Sequence, residues 1–408
     1  MKSIAIYSRH EDTDNETKNP SKESIQNFGK NQVHINIWKT YVGNLFLTPR
    51  YFFDFGIMTS SFNNRICIFL PFEIKHCENT TYDLCDTISK QQDLLCAIFN
   101  AELITSNCPN SCFTKVSKEE EDDTFYLYEL GNNNIDVQPY TEGKIRGTRI
   151  KISINGHPNN NNYEEVTTYI RFRVEATKSR QVVLSEGISN DLIQAAFSTT
   201  DLFDIRVNEI REIGNKIQEE MTTNKYVPFT FKKIHLFYIT DTHENVNNES
   251  RTKNDCRLLE NNHWDKYIPE NDLKERFYLA YHWKSQEKTT DIKRSNFSSY
   301  YYPHCTSLNR RIINLNNDYG KNLNEFSIFF STVYPRLKFI RLTSYLSVVI
   351  LLGWVGSGLD FDICSKTITE SPWEWTKFFI IVSLFLFIIV STLVRHFKIQ
   401  HIKIFRKR

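Results

Sequence analysis

From Asn31 onward the chain alternates. Val33, Ile35 and Ile37 are separated by polar residues, the period of two that a half-buried strand requires. Arg65–Phe72 is a near-continuous apolar run broken at Pro71, which predicts a central strand. The spacing then changes. Leu84, Ile88, Leu95, Ile98 and Phe99 fall on one helical face and predict a helix over 83–100, with Asp83 as its N-cap. Thr124–Leu130, Thr148–Ile154 and Thr167–Glu175 are aromatic or β-branched and predict three further strands, separated by turn-rich segments such as Asn159–Asn162. Leu192–Phe197 and Asp204–Met221 read as helices, the second carrying the stripe Ile210, Ile213, Ile217 and Met221. Val227–Thr240 and Arg276–Lys284 return to strand. Strands and helices without a regular βαβ repeat predict an α+β body.

Two later runs have no polar side to alternate with. Leu342–Leu359 is 18 residues and Phe378–Val394 is 17 residues, both without an ionisable group. They lie near the short end of the roughly 17–25 residues that span a bilayer as a helix, and predict a C-terminal two-helix transmembrane hairpin. Arg336, Lys338 and Arg341 precede the first span, and Arg395, Lys398, Lys403, Arg406, Lys407 and Arg408 follow the second. The positive-inside bias therefore places both termini in the cytoplasm. The predicted organisation is a leader at 1–30, a cytosolic α+β sensor region at 31–335, a hairpin at 336–398 and a basic tail at 399–408. The five-acid run 119–123 marks a sub-boundary inside the sensor region. Ser344 and Ser347 in one span, and Ser383 and Ser391 in the other, are pore candidates because hydroxyls can face water or each other. Two spans cannot enclose a pore within one chain, so a channel implies a homo-oligomer. A plain membrane anchor needs nothing more than the hairpin and stays open.

Charge sharpens this division. The 408 residues hold 50 Lys and Arg against 48 Asp and Glu, a net of +2. Residues 1–335 have a net of -5 and residues 336–408 a net of +7. A mean hydropathy of -0.44 excludes a polytopic transporter. Nine cysteines at irregular spacing suit free thiols, and neither they nor the histidines have the paired spacing of a zinc site. No metal or cofactor is predicted. Walker A, dinucleotide GxGxxG, GxSxG and HExxH motifs are all missing, which excludes those families.

Two patterns carry candidate chemistry. Asp54 followed by Glu73-Ile74-Lys75 has the composition of a metal-dependent nuclease, in which two carboxylates hold the ion and a lysine steadies the developing anion. A strand ending in charged residues gives the same letters. The other pattern is electrostatic. Arg149 and Lys151 alternate with isoleucines, and Arg171 and Arg173 alternate with Ile170, Phe172 and Val174. If these strands pair, four cations line one sheet face, within a segment (144–180) that has eight basic and three acidic residues. That face is either ordinary solvated surface or a site for a phosphate-rich ligand, with Tyr163 and Tyr169 stacking on bases.

A cytosolic body, an arginine-rich face and a two-helix hairpin resemble the layout of bacterial anti-phage transmembrane effectors, most closely the membrane component of Hailong-type systems. IFLPFEI at Ile68–Ile74, AIFN ending at Asn100 and FDIRVNEIREI at Phe203–Ile213 are the nearest sequence features. The resemblance transfers no individual functional residue. It implies a double-pass protein of the bacterial inner membrane, an oligomeric channel or pore whose cytosolic domain binds an anionic nucleotide or short single-stranded oligonucleotide. A nucleotidyltransferase encoded nearby would make that ligand. The alternatives are a membrane-tethered nuclease using Asp54, Glu73 and Lys75, and a non-catalytic membrane-anchored adaptor.

Overall fold

A computed structural model describes residues 3–9, 31–42, 48–60, 65–75, 82–118, 124–143, 145–158, 166–186, 198–247, 249–250, 255–264, 267, 277–285 and 325–335, with isolated positions at 346, 347, 349, 350, 353, 376 and 383. The first elements are β1 (Ala5–Arg9), β2 (Gln32–Val42), β3 (Thr48–Ser60), β4 (Arg65–Leu70), β5 (Tyr82–Asp83), α1 (Cys85–Ser89), α2 (Gln92–Phe99) and β6 (Leu103–Asn107). Next come β7 (Phe113–Lys118), β8 (Thr124–Tyr128), β9 (Ile135–Glu142), β10 (Ile145–Ser153), β11 (Thr167–Glu175), α3 (Ser179–Val182) and β12 (Leu184–Glu186). The remainder is β13 (Ser198–Val207), α4 (Asn215–Thr223), β14 (Val227–Pro228), β15 (Lys233–Asp241), β16 (Asn245–Asn247), β17 (Asp255–Leu258), α5 (Asn261–Trp264), β18 (Tyr278–Lys284) and β19 (Phe326–Pro335).

Ten strands build one large sheet, in the order β17-β18-β15-β2-β3-β11-β8-β7-β6, with β5 paired to β11 off that path. Within it β15–β2 and β11–β8 are parallel pairs. A five-stranded sheet (β14-β1-β4-β10-β9) and a four-stranded sheet (β12-β13-β19-β16) are joined by a parallel bridge between Ile4 and Val207. Alternation sorts the faces, because successive side chains leave a strand on opposite sides. Val33, Ile35 and Ile37 of β2 join Phe53 and Phe55 of β3, and meet Ile66 and Ile68 of β4 and Phe203 and Ile205 of β13 in one core. Burying each such side chain contributes roughly 1.5–3 kcal/mol, so the period of two is enough to fix which face turns inward. Lys39 continues the inward row of β2, and its Nζ is held by Asp201 at 2.8 Å and Glu244 at 2.6 Å, tying the four-stranded sheet to the large one.

The other face of the large sheet lies under α1, α2 and α5, with Trp38, Phe52, Tyr169 and Tyr278 packed against Leu84, Ile88, Leu95 and Trp264. The helix predicted over 83–100 forms as two pieces because Gln91 is extended (φ -131, ψ 90). Asp83 still serves the start of α1: one carboxylate oxygen accepts the Cys85 N–H at 2.9 Å and the other the Leu130 N–H at 2.8 Å. Asn100, with φ 52, ends α2 in the left-handed conformation that asparagine tolerates.

Several expectations are corrected here. The described chain is mostly β rather than α+β. The helix expected over 204–221 begins only at Asn215, because Phe203, Ile205 and Val207 alternate into the core and pair with β19. Its stripe survives in part, since Ile213, Ile217 and Met221 pack α4 and its lead-in against Tyr7 and Phe69 of the five-stranded sheet. The run 119–123 and the helix expected at 192–197 lie outside the described residues. The strands flanking 119–123, β7 and β8, pair with each other in one sheet.

The two-helix hairpin and the double-pass inner-membrane placement are corrected as well. Among the described residues no helix is long and apolar enough to cross a membrane. The nine residues of α4 rise about 14 Å at 1.5 Å each, against about 30 Å of hydrocarbon. The runs 342–359 and 378–394 lie outside the described residues except for isolated positions. Of the pore candidates, Ser344 and Ser391 are outside, Ser347 is a buried helical position and Ser383 an exposed one.

Candidate anion-binding site

The four cations expected on one face are on two different sheets. Strand β10, with Arg149 and Lys151, pairs with β4 and β9, whereas β11, with Arg171 and Arg173, pairs with β3, β5 and β8. Arg149 binds Glu220 of α4 and Gln138 of β9, and so ties that helix to its sheet. Lys151 stands opposite Asp136. Tyr163 lies outside the described residues, and Tyr169 is fully buried. Neither arginine of β11 reaches solvent: Arg171 is 1% exposed and Arg173 4%.

What holds these two arginines is Asp54, on the neighbouring strand. Its carboxylate accepts a two-pronged bond from Arg173, at 2.6 Å from Nε and 2.9 Å from a terminal nitrogen. It also accepts from Trp38 Nε1 at 2.7 Å and Tyr267 Oη at 2.9 Å. Four donors, all from the protein itself, engage this one buried carboxylate. Glu73 is engaged elsewhere by Lys178 at 3.2 Å, and Lys75 by Glu175 at 3.4 Å. The three residues of the nuclease pattern are not brought together, and among the described residues no group of three His, Cys, Asp or Glu side chains could hold a metal.

Arg171 is paired differently. Its Nε donates to Tyr267 Oη at 2.6 Å and a terminal nitrogen donates to Tyr169 Oη at 2.7 Å, while Asp54 is 4.0 Å away. Two buried guanidinium groups thus share one carboxylate, leaving about one unit of positive charge beneath the sheet surface. Because arginine only donates, Tyr169 accepts from it and turns its own O–H toward His34 Nδ1, 3.2 Å away. Both groups are satisfied when His34 carries its own hydrogen on Nε2. Its pKa is lowered well below the ordinary value, first by burial and then by His235 and Arg171.

His34 opens onto a cavity of about 980 Å³ between the large sheet and the end of α2. That is near the upper end of the roughly 300–1,000 Å³ of small-molecule sites. Lys118, Lys232, Lys233, Arg257 and Lys284 line it, against Asp255 as the one carboxylate among the described lining residues. Three half-buried rings, Phe99, Phe125 and Phe237, line it too. Phe237 is stacked on His282 with centroids 4.2 Å apart. His235 and His282 face each other, Nδ1 to Nε2 at 3.0 Å. Burial comes first in lowering both to about 4, followed by His282 and Lys233 for His235 and by Lys284 for His282. All three imidazoles are therefore neutral at pH 7, as donors and acceptors among fixed cations.

None of these histidines was singled out by sequence reasoning. A usable signal exists: His34, His235 and His282 each sit between two apolar residues of a strand, and Lys232-Lys233 and Lys284 flank two of them. No protein-family model matches the chain, and no curated protein matches it.

Proposed function

We propose that the chain is a binding protein for a phosphate-rich, base-bearing ligand, a nucleotide or short single-stranded oligonucleotide, held in the cavity at His34, His235 and His282. The observation that carries this is the charge: Lys232, Lys233 and Arg257 stand against Asp255 along the described lining, set above the surplus charge of Arg171 and Arg173 over Asp54. In a partly enclosed site these charges are weakly screened and favour an anion. Phe99, Phe125 and Phe237 offer faces for bases, and base–aromatic stacking contributes about 1–3 kcal/mol per base without demanding a sequence. The buried arginines act through their field and through the tautomer of His34, not by touching the ligand. The sequence features that resemble Hailong-type effectors, IFLPFEI at Ile68–Ile74, AIFN ending at Asn100 and FDIRVNEIREI at Phe203–Ile213, favour a setting in bacterial anti-phage defence, with a nucleotidyltransferase as the source of the ligand.

The test is the salt dependence of binding. Fluorescence anisotropy with a labelled short oligothymidylate gives log K against log salt for the natural chain and for Lys233→Ala. The proposal expects weaker binding by the variant and a slope reduced by about 0.7, the value for one phosphate contact on a single strand. An unchanged affinity and slope would remove Lys233 and the cavity from consideration.

A further inference from the structure

The row of imidazoles narrows the ligand further, resting on the reading of the cavity as an oligonucleotide site. His34, His235 and His282 stand on three adjacent strands, β2, β15 and β18. His235 is directly opposite His34 in register, with ring centroids 5.0 Å apart, and His235 and His282 lie nearly coplanar, edge to edge, with centroids 5.2 Å apart. Between His235 Nδ1 and His282 Nε2 there is room for one hydrogen, so one ring donates and the other accepts. The charged groups around the pair are Lys233 on its own strand, Lys284 on β18, and Arg257 and Asp255 on β17. Beyond His34 lies Arg171. Only Asp255 among these favours a proton on the pair; every other one opposes it.

The two rings share one hydrogen, and Asp255 is the one carboxylate beside them among the described residues. A phosphodiester is a poor match, because it is a monoanion with two free oxygens and no proton to share at neutral pH. A terminal phosphate matches better: it has three free oxygens, a second ionisation near pH 6 and a charge approaching -2. We propose that the His235–His282 pair, with Lys233, binds a terminal phosphate of the oligonucleotide and takes up a proton as it does so. His34, with its hydrogen on Nε2, supplies one further donor on the same sheet face.

Isothermal titration of the full chain tests this with three probes: 5′-phosphorylated oligothymidylate, the same oligomer with a 5′-hydroxyl, and thymidine monophosphate. Each is run in buffers of different ionisation enthalpy, which reports protons taken up. The expected result is binding of the phosphorylated oligomer about tenfold tighter than the hydroxyl form, a difference of about 1.4 kcal/mol, with net proton uptake only for phosphorylated probes. Weaker binding of the monophosphate, with the same uptake, supports an oligonucleotide as the carrier; equal binding overturns that assignment. His282→Gln should abolish the tenfold preference and the uptake, whatever it does to the affinity for the hydroxyl oligomer. If that variant does not fold, the imidazole proton resonances of the natural chain decide instead, since those of His235 and His282 should move into the imidazolium range with the phosphorylated oligomer and not with the hydroxyl form. Equal affinity of the two oligomers without proton exchange would overturn the terminal-phosphate site and leave the cavity reading standing. Absence of binding by all three probes would overturn both.

Discussion

Arg171 has donors and no acceptor, so each bond it makes has one direction. That direction passes through Tyr169 to His34 and is satisfied with Nε2 as the nitrogen His34 turns to a ligand. The same reasoning at His235 and His282 gives a stability prediction. Burial lowers both pKa values to about 4, against an ordinary value of 6.5 that the unfolded chain retains. Between these two pH values the unfolded chain binds protons that the folded chain refuses. Their contribution is therefore neutral above about pH 6.5 and becomes progressively destabilising as the pH falls toward 4. Denaturant unfolding measured across this window should show a pH slope that is shallower in His235→Gln by up to about one proton. An identical slope in the variant would mean that the ring is as accessible to protons folded as unfolded.

At the scale of elements, register brings the site together. Gly56 on β3 lies opposite His34 of β2 on one side and Arg171 of β11 on the other. A Cβ at this glycine would come within 2.1 Å of Tyr169 Oη and 3.1 Å of Arg171, so the phenol crosses the strand only because the side chain is missing. Gly56→Ala should displace Tyr169, destabilise the fold by about 1–3 kcal/mol and weaken oligonucleotide binding as His34 loses its partner. Urea unfolding and anisotropy on the same preparation check both effects. The faces of β2, the core strand at Arg65–Leu70 and the helical cover were legible in the sequence, because each depends on local periodicity. Strand order was not. Arg171 and Arg173 alternate with apolar residues just as solvent-facing cations do, and only the distant Asp54 and Tyr267 show that their face is buried. Likewise Ile213, Ile217 and Met221 continue a helical stripe backward into Phe203–Val207, and pairing with β19 overrides it. The histidines were hidden for the same reason: they converge only when the parallel pair β2–β15 and the antiparallel pair β15–β18 are formed.

The described residues set one large sheet between two smaller sheets on its inner face and a short helical cover on its outer face. The cover stops at Asn100 and Ala101, and the cavity lies where it stops. Two clusters of cations compete for the role of ligand site. Arg149 and Lys151 lie on the outer side of the five-stranded sheet beside α4, and Lys232 and Lys233 lie at the cavity. The most direct measurement is oligothymidylate affinity, at one fixed salt concentration, for the double variants Lys232→Ala/Lys233→Ala and Arg149→Ala/Lys151→Ala. Binding should fall by at least about tenfold in the first and stay within about twofold of the natural chain in the second, about 1.4 kcal/mol separating the two classes. The reverse order, with the loss confined to Arg149→Ala/Lys151→Ala, would contradict the assignment of the cavity as the ligand site.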